Sequence, residues 1–183
     1  MSKNPIILKK TTIATTRIFH IESLDIQFSN GEIRNYERLA RKTNGGAVLI
    51  VPMIDNETVL LIKEYSAGVH RYEIGLPKGK VDPDETFLDA ANRELKEEIG
   101  FGARKLHHLS TFSLAPSYLE HTTEIIIAQD LYLDKLTGDE PEELEVIPWK
   151  INKINELVAN EICTEARSIA ALFMTLEYLR KHL

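Results

Sequence analysis

Apolar positions recur on both sides of Asn30-Gly31, with Leu24, Ile26 and Phe28 before the pair and Ile33 and Tyr36 after it. Such a pattern around a turn-prone Asn-Gly dipeptide predicts a β-hairpin. Residues 1–44 are therefore expected to form a small antiparallel β subdomain, and residues 45–183 the main domain. From Gly45 the runs GGAVLIVPMI and TVLLIKEY, parted by a turn at Asp55-Asn56, read as a pair of core strands, with YEIGLPK as a third. The period then changes. Leu88, Ala91, Leu95 and Ile99 share one face at helical spacing, so residues 87–99 are expected to be a helix, started by Thr86 and Asp89 and stopped by Gly100. Strands are expected near 106–114, 122–133 and 144–149, and helices near 152–162 and 165–181. The order is mixed α/β.

Composition narrows the class. A chain of 183 residues with 43% hydrophobic and 27% charged residues has enough apolar material for one substantial core. The N-terminal MSKNPIILKKTTIATT has no apolar run of signal-peptide length followed by a small-residue cleavage site, no 18-residue apolar stretch occurs, and the single cysteine, Cys163, has no partner for an internal disulfide, so a cytoplasmic protein is expected. A formal net charge of −6 argues against nucleic-acid binding, which is normally met by a basic surface. A phosphorylated substrate would need its charge neutralised by something other than the protein surface.

The 87–99 helix supplies a candidate. Glu94, Glu97 and Glu98 stand at i, i+3 and i+4, so three carboxylates share one arc beside the apolar stripe. Like charges at this spacing destabilise an isolated helix by roughly 0.2–0.5 kcal/mol per pair. Lys96 points away from them, whereas Arg93, one turn before Glu97, is placed to hold that side chain. Ala90 is expected to keep the neighbouring surface low enough for a ligand. Hard cations such as magnesium take oxygen ligands and bridge one or two carboxylates to phosphate oxygens.

Reading outward from the cluster, Gly79, Glu85, Arg93-Glu94-Leu95, Glu97-Glu98 and Gly100-Phe101 fill every fixed position of the pattern G-x5-E-x7-R-E-U-x-E-E-x-G-U, where U is a bulky apolar residue. This pattern resembles the Nudix box. The resemblance implies a Nudix α/β/α sandwich with a mixed sheet carrying the N-terminal β subdomain, and a metal-dependent hydrolase of nucleoside diphosphate compounds. It implies two or three Mg2+ ions per site, with Mn2+ as a substitute. Glu94 and Glu98 are implied as principal ligands, Glu97 as a further ligand or supporting group, and a backbone carbonyl at Lys78 or Gly79 as completing the site. Arg93 would orient a glutamate and Glu85 would have a structural role.

Beyond the box, the segments YEIGLPKGKVDPDE, LAPSYLEHTTEIIIAQDL and GDEPEELEV resemble the ADP-ribose pyrophosphatase branch of that family over nearly the whole chain. Pro116 and Tyr118 occupy windows where ADP-sugar pyrophosphatases and diadenosine polyphosphate hydrolases, respectively, carry those residues. ADP-ribose, short diadenosine polyphosphates and NADH are therefore the implied substrates. Pro77-Lys78-Gly79 departs from the usual Pro-Ala-Gly of the branch, which loosens a strict ADP-ribose preference. The branch takes its general base from a loop before the last strand, which matches Glu140, with Glu142 second and Glu120 and Glu124 as rivals. Phe19, Arg38, Glu73 and Lys78 match positions that contact substrate, and a homodimer is implied. Two other readings stay open at this point: a Nudix hydrolase of another nucleoside diphosphate sugar or dinucleoside polyphosphate, and a non-catalytic ligand-sensing module.

Overall fold

The computed structural model describes residues 4–41 and 45–182. Its chain divides into two compact units, Met1–Asn44 with Ser113–Thr122, and Gly45–Phe112 with Thr123–Leu183. The anticipated boundary beside residue 44 falls at residues 42–44, outside the described residues.

In the first unit, β1 (Ile6–Thr15), β2 (His20–Gln27) and β3 (Ile33–Leu39) form an antiparallel sheet in sequence order. Gly31 makes the β2–β3 turn with φ 86°, a conformation in which a Cβ would be strained, and Asn30 Oδ1 accepts a hydrogen bond from the Glu32 N–H. Ser113–Thr122 joins this unit through the end of β3. The Leu39 N–H donates to the Tyr118 carbonyl and the Leu39 carbonyl accepts from the Glu120 N–H.

The second unit contains β4 (Ala47–Pro52), β5 (Thr58–Ser66), β6 (Arg71–Gly75), β7 (Lys78–Lys80), α1 (Phe87–Glu98), β8 (Phe101–Ser113), β9 (Thr122–Leu133), β10 (Glu145–Lys150), α2 (Ile154–Ala159) and α3 (Ala166–His182). One sheet has the order β7-β4-β9-β8, with β4 parallel to β9 and antiparallel to β7. The other has the order β10-β5-β6 and is antiparallel. The runs of Val, Leu and Ile in β4, β5 and β9 are explained by burial on both faces. Val48, Ile50, Leu60, Ile62, Ile126 and Ala128 pack with Ala91 and Leu95 of α1, while Leu49, Val51, Val59, Leu61, Ile125 and Ile127 pack with Leu157 of α2 and Leu172 of α3. Because strand side chains alternate, two helical layers require two apolar sets interleaved at period two. This is an α/β/α sandwich with a mixed sheet, accompanied by an N-terminal antiparallel sheet.

Several local readings are corrected. YEIGLPK is two strands, because Pro77 has no N–H to donate and the chain leaves β5 for β4 at Leu76-Pro77. The 152–162 helix is shorter than expected. Glu161 takes φ 54°, its N–H donates to the Val158 carbonyl and that of Ile162 to the Leu157 carbonyl, a left-handed stop that ends α2 at Ala159. On α1, Leu88 is 39% exposed, and Ala90 is fully buried in the core instead of lining a ligand surface, because the packed face of the helix runs through Ala90, Ala91 and Leu95. No helix of the described residues is long and apolar enough to cross a membrane.

The hydroxyl of Thr175, fully buried on α3, has no hydrogen-bond partner among the described residues. An unpaired buried hydroxyl costs about 1–3 kcal/mol of desolvation, so Thr175→Val should raise stability by about 1 kcal/mol. Denaturant unfolding checks this, and a destabilised variant would show that the hydroxyl is satisfied in solution.

Candidate active site

The break at Pro77 lets β7 pair with β4 in the register Leu49↔Lys78, Val48↔Gly79 and Ala47↔Lys80, which carries Gly79 directly against α1. A Cβ at Gly79 would lie under 3.0 Å from the Cδ and both carboxylate oxygens of Glu94, so only glycine leaves room for that carboxylate. One residue earlier, the Lys78 N–H donates to Glu98 Oε2 at 3.1 Å. The strand backbone and the acidic face of α1 therefore meet along the Gly79 end of the box.

α1 is capped as its sequence predicts. The Thr86 hydroxyl accepts from the Asp89 N–H and donates to the Asp89 carboxylate, and Gly100 follows the helix with φ 76°. Arg93 is the hub of the site. Its guanidinium donates to both oxygens of Glu85 at 2.8 and 3.0 Å, to Glu94 at 2.8 Å, to Glu97 at 3.0 Å and to the Lys80 carbonyl at 2.9 Å. The sequence placed Arg93 against Glu97; it also joins Glu85 and Glu94. Lys96 pairs instead with Asp134.

One guanidinium facing three carboxylates leaves the site strongly negative. Burial pushes the Glu98 carboxyl up to about 8, and burial likewise raises Glu94 despite its bond to Arg93. Around the same end, a cleft of about 640 Å³ is lined by Glu97, Glu98, Gly138, Glu140, Glu142 and Val146, among others. Glu140 is an exposed residue of its wall, and its carboxyl is raised first by partial desolvation, then by the nearby charges of Glu64 and Asp139. Glu142 lines the cleft too, but the Tyr72 hydroxyl donates to it at 2.7 Å.

Sequence reasoning missed Glu64, whose carboxylate pairs with Lys78 Nζ. Its signal was available: Glu64 follows Leu60 and Ile62 at period two, a charge interrupting the face of β5 that packs on α1. The other candidates are held elsewhere. Glu73 is bound by Arg71 and by the Thr164 hydroxyl. In the first unit, Arg38 is tied to Glu22 and Glu120, and Phe19 is exposed. Glu124 is buried and accepts from His108 and Thr111.

Among the described residues, no three His, Cys, Asp or Glu side chains already converge as a cation cage. Arg93 draws Glu94 and Glu97 aside and the Lys78 N–H draws Glu98. The donor set nonetheless fits a hard cation that keeps its waters and takes one or two carboxylates, since Glu94 and Glu98 are partly desolvated and stand one turn apart on α1.

Glu85 contributes to the acid side of the scaffold's pH behaviour. Hydrogen bonds from Arg93 hold its carboxyl below the ordinary value of 4.5, against the smaller opposing effect of burial. The folded value lies below the unfolded one, so the ionised group stabilises the fold above about pH 4.5 and that contribution is lost as pH falls through the folded value. Glu85→Gln should lower stability at pH 7 and flatten the acid side of the Tm profile. An acid side as steep as in the wild type contradicts this.

Comparison with known proteins agrees with the geometry. A model of the NUDIX domain matches residues 43–173, and a model of the NudE-type Nudix hydrolase N-terminal domain matches residues 5–38. The ADP compounds hydrolase NudE of Escherichia coli (strain K12) is 47% identical, covering 98% of this chain and 97% of that protein. The ADP-ribose pyrophosphatase of Bacillus subtilis (strain 168) is 26% identical over 90% of this chain and 91% of its own length. A crystal structure described as ADP compounds hydrolase superposes with a TM-score of 0.92 at 46% identity, covering all of this chain and 97% of that one. With a filled box, a two-sided sandwich and matches along almost its whole length, this chain is a member of the Nudix hydrolase family, of the NudE type.

Proposed function

We propose that the chain hydrolyses the diphosphate linkage of ADP compounds (ADP-ribose, diadenosine di- or triphosphate, and NADH) to AMP and a second phosphorylated product. The observation that carries this reading is the pair of desolvated carboxylates at the β7–α1 contact, Glu94 beneath Gly79 and Glu98 on the Lys78 N–H, the second of which lines a cleft that also holds Glu140. The names of the Escherichia coli and Bacillus subtilis relatives support the substrate class.

Glu94 and Glu98, with the Gly79 carbonyl, would hold divalent ions, two or three Mg2+ or Mn2+, and Glu97 serves as a further ligand or a support fixed by Arg93. When bound, these ions supply positive charge against the diphosphate and make water more acidic. Glu140 accepts a proton from the water whose oxygen attacks phosphorus, and the P–O bond to the bridging oxygen breaks. A raised carboxyl value suits this role, because a stronger base holds the proton better near neutrality. Glu142, already bound by Tyr72, is the second choice. Lys78 Nζ brings a cation to the same end, while Phe19, Arg38 and Glu73 would contact the nucleoside.

Exposed Ile6, Leu8, Ile13 and Ile33 in β1 and β3 support a homodimer, which sedimentation at micromolar concentration tests: a monomer there removes it. The single buried cysteine and the acidic net charge are compatible with the cytoplasm and with a small-molecule partner. The reaction is tested by Mg2+-dependent assays of ADP-ribose, diadenosine triphosphate and NADH in oxygen-18 water, beside GDP-mannose and a dinucleoside tetraphosphate. AMP release from the ADP compounds supports the proposal. Preference for GDP-mannose or the tetraphosphate transfers it to another Nudix substrate, and binding without turnover makes the chain a sensing module.

A further inference from the structure

The segment that delivers Lys78 and Gly79 to α1 is itself fastened from the opposite helical layer. Leu76, fully buried, donates its backbone N–H to the Ser168 hydroxyl of α3 at 3.0 Å, across 92 positions of sequence. That hydroxyl, 1% exposed, in turn donates to Glu165 Oε2 at 2.8 Å, and the same oxygen accepts the Ser168 N–H at 2.8 Å. Glu165 is held on its other oxygen by Arg167 at 2.6 Å. Close approach is built in at the neighbouring residue, where a Cβ on Gly75 would stand 3.1 Å from Ser168 Oγ.

Leu76 lies two residues before Lys78, whose N–H orients Glu98, and three before Gly79, which roofs Glu94. Pro77 between them has a fixed φ and no N–H, so the position of Leu76 is transmitted to Lys78 with little slack. The next fastening on that stretch is the Pro77 carbonyl, which accepts from the Ile50 N–H. Without Ser168, the Leu76 N–H is left unpaired in the core, and the chain would shift to satisfy it.

We propose that Ser168, oriented by Glu165, is a positioning residue for the hydrolase: it sets the Leu76–Gly79 backbone and through it the carboxylates of Glu94 and Glu98. This rests on the metal-dependent reading above. Removal of groups that orient metal ligands typically lowers affinity or activity by about 10–100-fold.

The test uses full-length Ser168→Ala, Ser168→Ala/Gly75→Ala, Ser168→Cys and, as a control on the same helix, Thr175→Val. The double variant refills the vacated volume without restoring the hydrogen bond, which separates positioning from packing. Mn2+ affinity of the resting protein is read by electron paramagnetic resonance, and kcat and KM are read with ADP-ribose at saturating Mg2+. Ser168→Ala should weaken Mn2+ binding and lower kcat, each by about 10–100-fold, with KM within about twofold. The double variant should stay impaired and Thr175→Val should match the wild type. If Ser168→Ala does not fold, Ser168→Cys carries the same expectation with its poorer acceptor. Wild-type Mn2+ affinity in the serine variants, or recovery in the double variant, overturns the positioning role alone. A wild-type protein that neither binds Mn2+ nor turns over removes the functional reading along with it.

Discussion

Glu98→Gln should lower turnover of the proposed substrate ADP-ribose by at least about 10³-fold, equivalent to roughly 4 kcal/mol of barrier, with the fold retained. Glutamine has nearly the same shape, and its side-chain oxygen can still accept the Lys78 N–H that Glu98 accepts at 3.1 Å. What it lacks is charge. Burial raises the Glu98 carboxyl to about 8, so in metal-free protein the ionised form is disfavoured by the fold. A folded value above the unfolded one means that wild-type stability declines as pH rises from about 4.5 to about 8. The neutral variant escapes that decline, so in the presence of a chelator its Tm should equal or exceed that of the wild type at pH 8. Steady-state assays and thermal melts check both halves. Near-normal turnover would remove Glu98 from the proposed metal site, whereas a collapsed fold would assign it to structure.

Gly79→Ala has the second large effect, by a steric route. The added methyl would stand under 3.0 Å from three atoms of the Glu94 carboxylate, and the yielding partner is the end of that side chain, not the β7 backbone paired with β4. Glu94 therefore swings out of place. Overpacking of this kind costs about 1–3 kcal/mol of stability, and the lost carboxylate geometry should lower kcat by about 10²-fold or more. Gly68→Ala is the matched control, since nothing lies within 4 Å of a Cβ there. Equal activity of the two variants would mean that Glu94 need not sit beneath Gly79.

The layered fold was legible in the chain because burial on two faces leaves an unmistakable mark: β4, β5 and β9 are apolar at consecutive positions, while α1 is apolar on one face only. The box made Arg93, Glu94, Glu97 and Glu98 visible together, and the structure joins Glu94 and Glu97 through Arg93, sets Glu94 beneath Gly79 and puts Glu98 on the Lys78 N–H. Other features depend on contacts between distant segments. Ala90 looks like a spacer in sequence, and its burial comes from its place in the apolar cluster between α1 and the strands. The pairing of Glu64 with Lys78 follows from the Pro77 crossing between sheets, which a strand pattern read residue by residue does not disclose. Likewise, the bond from Leu76 to Ser168 spans 92 positions and leaves no periodic trace. Glu140 and Glu142 are the same residue type two positions apart, and the Tyr72 hydroxyl on Glu142 is a contact that sequence does not disclose.

Diffraction from crystals soaked with Mg2+ and a non-hydrolysable ADP-ribose analogue decides whether the acidic face of α1 is a cation site. The expected density has ions joining the carboxylates of Glu94 and Glu98 to phosphate oxygens, with Glu98 turned from the Lys78 N–H. Density that leaves both carboxylates on Arg93 and Lys78, with the analogue bound elsewhere or not at all, would contradict it.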